Sequence, residues 1–374
     1  AIPNVSENQL IVFAEWPGHS PREIEQQVTY PLSVELQGLA GARVVRSSSE
    51  FNFASLSIIL NDSTDFYFAR QQVSERLTRA AEDLPNGARA YLAPDGVATG
   101  QIFWYVVEGR DYDLGRLRSI QDWYVRGQLA SVHGVAEVAS VGGHVIEYKI
   151  DLDPRRLAEL ELSSSVVTRA VAESNASAGG YVLQKPNAEY LVRGVTQLGA
   201  HADDAAPQLL RIVHDLEQLM IGKSDGRPVL LSDVGKVSIG PRFRRGVLEL
   251  HGNEAVGGVV LMRYGENPLE VTQRLHQKIQ ELSAGLPEGV RVTPVYDRTP
   301  LIHGAVATVT GTLFEAIATA TICVLIVLLH FRTSLVIAVT LPLAALSAFV
   351  AMWTLRRLGI ADIQTNIMSL AGIV

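Results

Sequence analysis

The sequence has little cysteine, little charge near its C-terminal end, and no basic tract anywhere. Its single cysteine, Cys323, excludes a disulfide framework and any zinc site built on paired thiolates. Lysine and arginine number 32 against 39 acids, for a net charge of −7. A nucleic-acid partner would need a basic footprint to neutralise phosphates, so none is expected. The nine histidines are scattered with no two within five residues, which removes the local spacings of a helical zinc site. Gly222-Lys223-Ser224 imitates the end of a phosphate-binding loop, but Glu217 stands where the first glycine of that loop belongs. Ser140, in Val138-Ala139-Ser140-Val141-Gly142, lacks the glycine that opens a nucleophile elbow. Asp65, Asp95, Asp153 and Asp233 are turn or helix-cap residues by their surroundings. Nothing here predicts an enzyme or a bound cofactor.

The charge deficit is local. Only 19% of residues are charged, against about 25% in ordinary globular chains. From Ala316 to Val374 the charged residues are Arg332, Arg356, Arg357 and Asp362, whereas residues 1–315 carry charge at a soluble density. Ser334 to Leu355 is free of charge over 22 residues. At ~1.5 Å per residue that length crosses a hydrocarbon core of ~30 Å. Pro342 within it is tolerable in a membrane helix, and Trp353 sits where an interfacial aromatic is favoured. An earlier segment, about Val309 to Phe331, carries one acid, Glu315, and a third span begins near Ile367. The first two are separated only by His330-Phe331-Arg332-Thr333, which reads as a membrane hairpin rather than a buried core hairpin. Arg356 and Arg357 against Arg332 place the second loop in the cytoplasm by one charge. Ala1-Ile2-Pro3-Asn4 holds no initiator Met or signal sequence, and the last residues stop inside an apolar run. Both ends predict a fragment of a longer membrane protein.

The soluble part contains a repeat. A strand at Leu10–Ala14 leads through Trp16-Pro17-Gly18 to a helix from about Pro21, with Ser20 as its N-cap. Strands follow at Ala42–Arg46 and Ala54–Leu60, then a helix from about Asp65 to Glu82 with Phe66, Ala69, Val73, Leu77 and Ala80 at helical spacing. The unit ends on Leu84-Pro85-Asn86-Gly87-Ala88-Arg89 and a last strand. The second unit has a strand at Gln101–Val107, a helix over roughly Leu114 to Val132 and a strand at Val135–Ala139. It resumes about a hundred residues later with strands at Val247–Leu250 and Val256–Leu261 and a helix from Pro268 to Leu282. Its end, Leu286-Pro287-Glu288-Gly289-Val290-Arg291, nearly repeats the first stop signal. Each unit is read as β-α-β-β-α-β. An insert at about Val145 to Lys236 carries its own strands and helices, at Ser164–Glu173 and Ala205–Val213.

This order, with several local segments, resembles the first half of a resistance-nodulation-division (RND) transporter, and more closely the heavy-metal efflux branch, of the copper/silver or zinc/cobalt/nickel type. The segments are Ala1-Ile2-Pro3-Asn4-Val5, Trp16-Pro17-Gly18, Val28-Thr29-Tyr30-Pro31-Leu32, Ser119-Ile120-Gln121-Asp122-Trp123 and Val135 to Gly143. Further matches are Glu147 to Pro154, Leu231 to Val237, Gly240-Pro241 before Arg244-Arg245-Gly246, Tyr296-Asp297-Arg298, and Asn366-Ile367-Met368-Ser369-Leu370. The resemblance implies an α+β periplasmic region of two ferredoxin-like porter subdomains with an inserted docking subdomain, followed by transmembrane α-helices. The boundaries expected are 1–95 for the first porter subdomain, 96–144 and 237–305 for the second, 145–236 for docking, and 306–374 for the second and third spans and the start of the fourth. It also implies a proton-driven homotrimer in lipid, in the bacterial inner membrane. Such a trimer exports heavy-metal cations through a periplasmic adaptor and an outer-membrane channel, with no cofactor beyond the proton gradient. The proton-carrying Asp of the family falls beyond Val374. This topology makes Arg356 and Arg357 periplasmic, against the charge count, as a large translocated domain allows.

Three residues follow as transport-path candidates, Gln101, Phe243 and Glu315, and one, Met368, as a candidate metal ligand. Phe243 holds the place of a methionine found in copper/silver members, Met368 matches a family methionine, Gln101 holds the place of an acid in divalent-ion members, and Glu315 is an acid within an apolar helix. Soft thioethers suit Cu(I) and Ag(I), and imidazole or carboxylate suits Zn(II), so the departures at Phe243 and Gln101 leave the ion open. Two alternatives stay open as well: a multidrug RND exporter using Phe243, Phe103 and Trp104, and a non-exporting RND-like membrane or interaction protein.

Overall fold

A computed structural model of the chain describes residues 7–358 apart from 187, 196, 200–207, 225, 245 and 329–330. The first strand, β1 (Gln9–Glu15), alternates in burial and sends Leu10, Val12 and Ala14 into the core, as a period of two requires. Ser20 then starts a helix with a reciprocal cap: its hydroxyl accepts from Glu23 N–H, and its own N–H donates to Glu23 Oε2 at 2.8 Å. This helix is α1 (Pro21–Ile24), a π-helical turn at Glu25–Thr29, and α2 (Tyr30–Leu36). It buries Ile24, Val28, Leu32 and Leu36. The strands β2 (Ala42–Glu50) and β3 (Phe53–Leu60) pair antiparallel and precede α3 (Phe66–Ala80). Asp65 caps α3 by accepting from Phe68 N–H at 2.7 Å, and the five apolar residues expected on one face of this helix are the five it buries. With β4 (Arg89–Leu92) the sheet order is β2-β3-β1-β4.

The chain continues through β5 (Gly96–Gly109), α4 (Leu114–Ile120), a second π-helical turn at Gln121–Val125, α5 (Arg126–Ala130) and β6 (Val135–Gly142). Sequence periodicity predicts one unbroken helix over 114–132. The π turn adds a residue within it and still keeps Gln121, Val125 and Leu129 buried, so an i, i+4 pattern hides it.

Two compact units emerge. One comprises Ala1–Glu108, Tyr124–Ser140 and Gly257–Val374; the other comprises Gly109–Trp123 and Val141–Val256. Most of the second unit is the expected insert. Its elements are β7 (Ile146–Leu152), α6 (Pro154–Glu159), α7 (Ser164–Glu173), β8 (Ser177–Lys185), β9 (Ala188–Val195), α8 (Gln208–Glu217), β10 (Met220–Ser224), β11 (Arg227–Leu230), α9 (Leu231–Val234), β12 (Gly235–Pro241) and β13 (Leu248–Leu250). The strands entering and leaving it, β7 and β12, pair antiparallel with Ile150 opposite Val237. Its own small core joins Leu157, Val167, Leu216, Ile221, Val229 and Leu231. The helix expected at Ala205–Val213 appears as α8; residues 205–207 lie outside the described residues.

After β14 (Asn253–Arg263) comes α10 (Pro268–Ser283), capped by Asn267, and then β15 (Val290–Asp297). In the second sheet β6, β14, β5 and β15 are neighbours in that order, and β13 is a three-residue addition on Asn253–Ala255. Matching each strand to its counterpart reproduces the order of the first sheet. Both repeats also place a π-helical turn in their first helix, and both stop signals fold alike. Ala88 N–H donates to Pro85 carbonyl at 3.0 Å, and Val290 N–H donates to Pro287 carbonyl at 3.1 Å. π turns are rare enough that two at matching positions argue for duplication independently of the strand order.

The chain then enters α11 (Thr299–Leu328), which packs on α12 (Phe331–Arg357). Helix α11 starts ten residues before the expected Val309, because Asp297 caps the Thr299 N–H and Pro300 falls in the first turn, so the helix begins ahead of the apolar run. Among the described residues one stretch, Thr299–Val324, is long and apolar enough to cross a membrane by length and composition. Phe314, Ile322, Val327, Leu343 and Val350 face outward, uncovered by the rest of the chain. The span expected from Ile367 lies outside the described residues.

Candidate functional site

Phe243 stands on the loop that leaves β12. That loop is pinned at both sides: Arg242 N–H donates to Val145 carbonyl at 2.8 Å, and Arg244 grips Glu254 with two guanidinium–carboxylate bonds of 2.8 Å. The Arg244 bonds hold the Glu254 carboxyl below the usual carboxylate range, against a smaller opposing effect of desolvation. Phe243 is 84% exposed on this mount. It is therefore not a core aromatic, whereas of the other two aromatics a multidrug exporter would use, Phe103 is fully buried in β5 and Trp104 is half-buried.

Gln101 is exposed on β5. The next residue, Ile102, accepts the backbone N–H of Arg298 through its carbonyl at 3.2 Å, which brings Gln101 beside the junction of β15 with α11. Here Phe103 presents its ring to His276 of α10 with centroids 5.2 Å apart and planes at 90°. His276 Nε2 lies 2.7 Å from Asp297 Oδ2, and Asp297 Oδ1 accepts the Thr299 N–H at 2.7 Å. Burial works to raise the Asp297 carboxyl, but the bonds from His276 and Thr299 outweigh it and hold it below its usual range. Sequence reasoning noted Asp297 only within Tyr296-Asp297-Arg298 and His276 only as a scattered histidine. The pattern Asp297-Arg298-Thr299-Pro300 is a helix-start signal that could have marked the carboxylate.

Glu315 is exposed on α11, sixteen residues beyond its first residue and so about 24 Å along the axis. The sequence placed it near the start of an apolar segment; the longer helix puts it past the midpoint. Met368 lies outside the described residues. Gln101 and Glu315 belong to one compact unit and Phe243 to the other. Among the described residues no group of three or more His, Cys, Asp or Glu side chains is gathered to hold a metal ion.

Within the first unit a cleft of about 260 Å³ opens between the two repeats, lined among others by Phe13, Phe66, Arg70, Glu137, Leu261 and Tyr264. Phe66 and Tyr264 stack across it, centroids 4.7 Å apart and 12° from parallel. Beside it Asp95 lies 2.9 Å from Arg263 Nε, an ion-pair contact rather than an aligned hydrogen bond, and accepts the Tyr67 hydroxyl at 3.3 Å. Burial, then the Asp95 charge, push the Tyr67 hydroxyl above its ordinary range.

Comparison with known proteins places this geometry. The model described as the AcrB/AcrD/AcrF family matches residues 1–374. Cation efflux system protein CusA of Escherichia coli (strain K12) is 40% identical over 378 residues, covering 100% of this chain and 34% of that protein. Cobalt-zinc-cadmium resistance protein CzcA of Cupriavidus metallidurans is 33% identical over 382 residues, again covering 100% and 34%. A crystal structure of a heavy metal efflux pump superposes with a TM-score of 0.82 at 31% identity, covering 94% of this chain and 34% of that one. The chain thus spans about a third of the length of the relatives it matches. A family model matched from the first residue to the last, over the mixed α+β architecture of the pump structure, establishes that the chain belongs to the AcrB/AcrD/AcrF family of RND transporters.

Proposed function

We propose that the chain works as part of an RND exporter of heavy-metal cations. The observation that carries this reading is similarity along its whole length, at 40% identity, to a protein named for cation efflux, joined to a TM-score of 0.82 against a heavy metal efflux pump. In the finer reading the two repeats are ferredoxin-like porter subdomains at 1–95 and at 96–144 with 237–305. Residues 145–236 are a docking subdomain, and 306–374 are transmembrane. The shared strand order and paired π turns support the first part, and the outward apolar faces of α11 and α12 support the last. The machine is a proton-driven homotrimer of the inner membrane, with its soluble region in the periplasm, joined to an adaptor and an outer-membrane channel.

Protonating an ionisable group inside a helix bundle switches its packing, and rigid subdomains outside can then rock to alternate access to a cleft. Phe243 and Gln101 contribute to the path on the porter side, Met368 and Glu315 on the membrane side. A phenyl at Phe243 supplies no thioether, so any soft-metal selection at that point comes from other residues.

Deleting the gene that encodes the whole protein tests the proposal. Tolerance to copper, silver, zinc, cobalt and nickel salts is measured beside tolerance to amphiphilic drugs. Loss of tolerance to at least one metal, restored by the gene, is expected. Unchanged metal tolerance with lost drug tolerance would overturn the metal reading in favour of a multidrug exporter.

A further inference from the structure

The second repeat is joined to its long apolar helix through one shared carboxylate. Asp297 takes the His276 imidazole of α10 on one oxygen and the Thr299 N–H, at the first turn of α11, on the other, each at 2.7 Å. The edge-on contact with the buried Phe103 ring fixes the imidazole relative to the sheet. The pair is not sealed: the side chains of His276 and Asp297 keep 43% and 22% of their exposure, so solvent can deliver and remove a proton.

Several charged neighbours are paired with other acids. On α10 itself Arg274 is held by Glu270, and Lys278 by Glu281. On β15 Arg291 is held by Glu108. Arg126 on α5, Tyr296 on β15, Tyr105 on β5, Arg298 before α11, and His303 and Glu315 on α11 are further charged or titratable groups of these elements. Among these groups His276 is the one that acts on the Asp297 carboxylate, through its hydrogen bond and, when protonated, its charge.

We infer that His276 is a positioning residue whose protonation tightens the joint between the second repeat and α11. With an imidazolium, the 2.7 Å contact is a bond between two full charges. With a neutral ring it is an ordinary hydrogen bond, or a lone pair facing the carboxylate if the proton sits on Nδ1. Imidazole is the side chain whose ordinary titration falls within the range of bacterial surroundings. Loosening the carboxylate from α10 frees the first turn of α11 to change its angle to the sheet. The proton comes from solvent and returns to it, so the step needs no other reactant. The inference rests on the proposed proton-driven export in one respect: it gives acidity outside the membrane a mechanical route to the helix that carries Glu315.

The test is hydrogen exchange at the amides from Thr299 to His303 in the full protein, assembled in lipid nanodiscs. It is read from about pH 5.5 to about pH 8, where imidazole titrates, and corrected for intrinsic rates. Wild type is expected to show roughly three- to tenfold stronger protection on the acid side, the scale of a charge-assisted bond over a neutral one. His276→Gln keeps an N–H donor without a titrating charge, and Asp297→Asn keeps an oxygen for Thr299 without a negative one. Both are expected to fold and to lose the pH step. A flat wild-type profile, or an unchanged step in His276→Gln, overturns the inference. Because exchange is read without transport, failure of metal export leaves this result standing, and a flat profile leaves metal export untouched.

Discussion

Gly87 and Gly289 hold the same left-handed backbone conformation, with φ of +88° and +79°, at the last position of the two Leu-Pro-x-Gly turns. Nothing presses on either: the nearest atom to a Cβ at Gly87 would be Trp16 Nε1 at 3.9 Å, and a Cβ at Gly289 meets nothing within 4 Å. The glycines serve the backbone alone, so alanine at each site carries the same penalty. We expect Gly87→Ala and Gly289→Ala each to destabilise by ~1–2 kcal/mol, and Asn at either site by less, since Asn tolerates this conformation. Chemical unfolding of the detergent-solubilised chain measures it. A much larger loss at one site than at the other would contradict the equivalence of the two turns.

Gly258 is a glycine of the opposite kind. Its φ is not positive, yet a Cβ there would collide with the ring and hydroxyl of Tyr105 on the neighbouring strand β5. Tyr105 is fully buried and has no open space to retreat into. Gly258→Ala is therefore expected to cost ~1–3 kcal/mol through overpacking. The double variant with Tyr105→Phe, which removes the hydroxyl, should recover part of the loss. With Tyr105→Phe measured alone as well, zero coupling between the two substitutions would exclude the collision as the cause.

Much of this architecture is legible in the sequence because it is local. The five buried positions of α3 repeat at helical spacing, the insert helix Ser164–Glu173 ends where its apolar pattern ends, and Pro-x-Gly marks both turns. The π turns are hidden, since one added residue leaves Val28 and Leu32, or Val125 and Leu129, still four apart. The His276–Asp297 contact is hidden for another reason: 21 residues separate its partners, and only the packing of α10 on the second sheet brings them together. Phe243 was legible as a departure from a family pattern, but its exposure depends on the Arg244–Glu254 grip, which no periodicity announces.

Arg118 ties the start of the second π turn to the end of β6. Its Nε bonds Asp122 at 2.8 Å one helical turn ahead, and its Nη1 donates to the Gly142 carbonyl at 2.7 Å. Both side chains of the ion pair are largely covered, at 20% and 23% exposure. Lysine reaches one of these acceptors but not both, so Arg118→Lys is expected to cost ~1–2 kcal/mol and Arg118→Met ~2–3 kcal/mol. Thermal unfolding orders the two variants. Equal midpoints for methionine and wild type would show the bonds to contribute nothing net.

Phe243 should separate stability from selection. An 84% exposed side chain contributes little to folding, so Phe243→Met and Phe243→Ala are expected to stay within ~0.5 kcal/mol of wild type. If Phe243 lies on the transport path, the methionine variant adds a soft ligand and shifts tolerance toward copper and silver relative to zinc and cobalt. The measurement is growth across a metal panel with each variant expressed at equal level. Identical profiles for Phe, Met and Ala would remove this residue from the path.

The acid limb of stability reports on Asp297. Its carboxyl is held below the usual range in the folded chain, so the unfolded chain binds that proton more tightly. Stability from this group is therefore complete above the ordinary carboxylate value, near pH ~3.9, and is lost as pH falls through the lower folded value. Asp297→Asn cannot titrate. At pH ~6 it should unfold at a lower temperature than wild type, having lost the carboxylate that takes the His276 contact, and the gap should narrow toward pH ~2–3 as the wild-type carboxyl takes up its proton. Midpoints recorded at both pH values decide the matter. A gap of equal size at pH ~6 and pH ~2–3 would mean that the asparagine disturbs the helix start by its shape, and that the Asp297 charge adds nothing to the joint with α11.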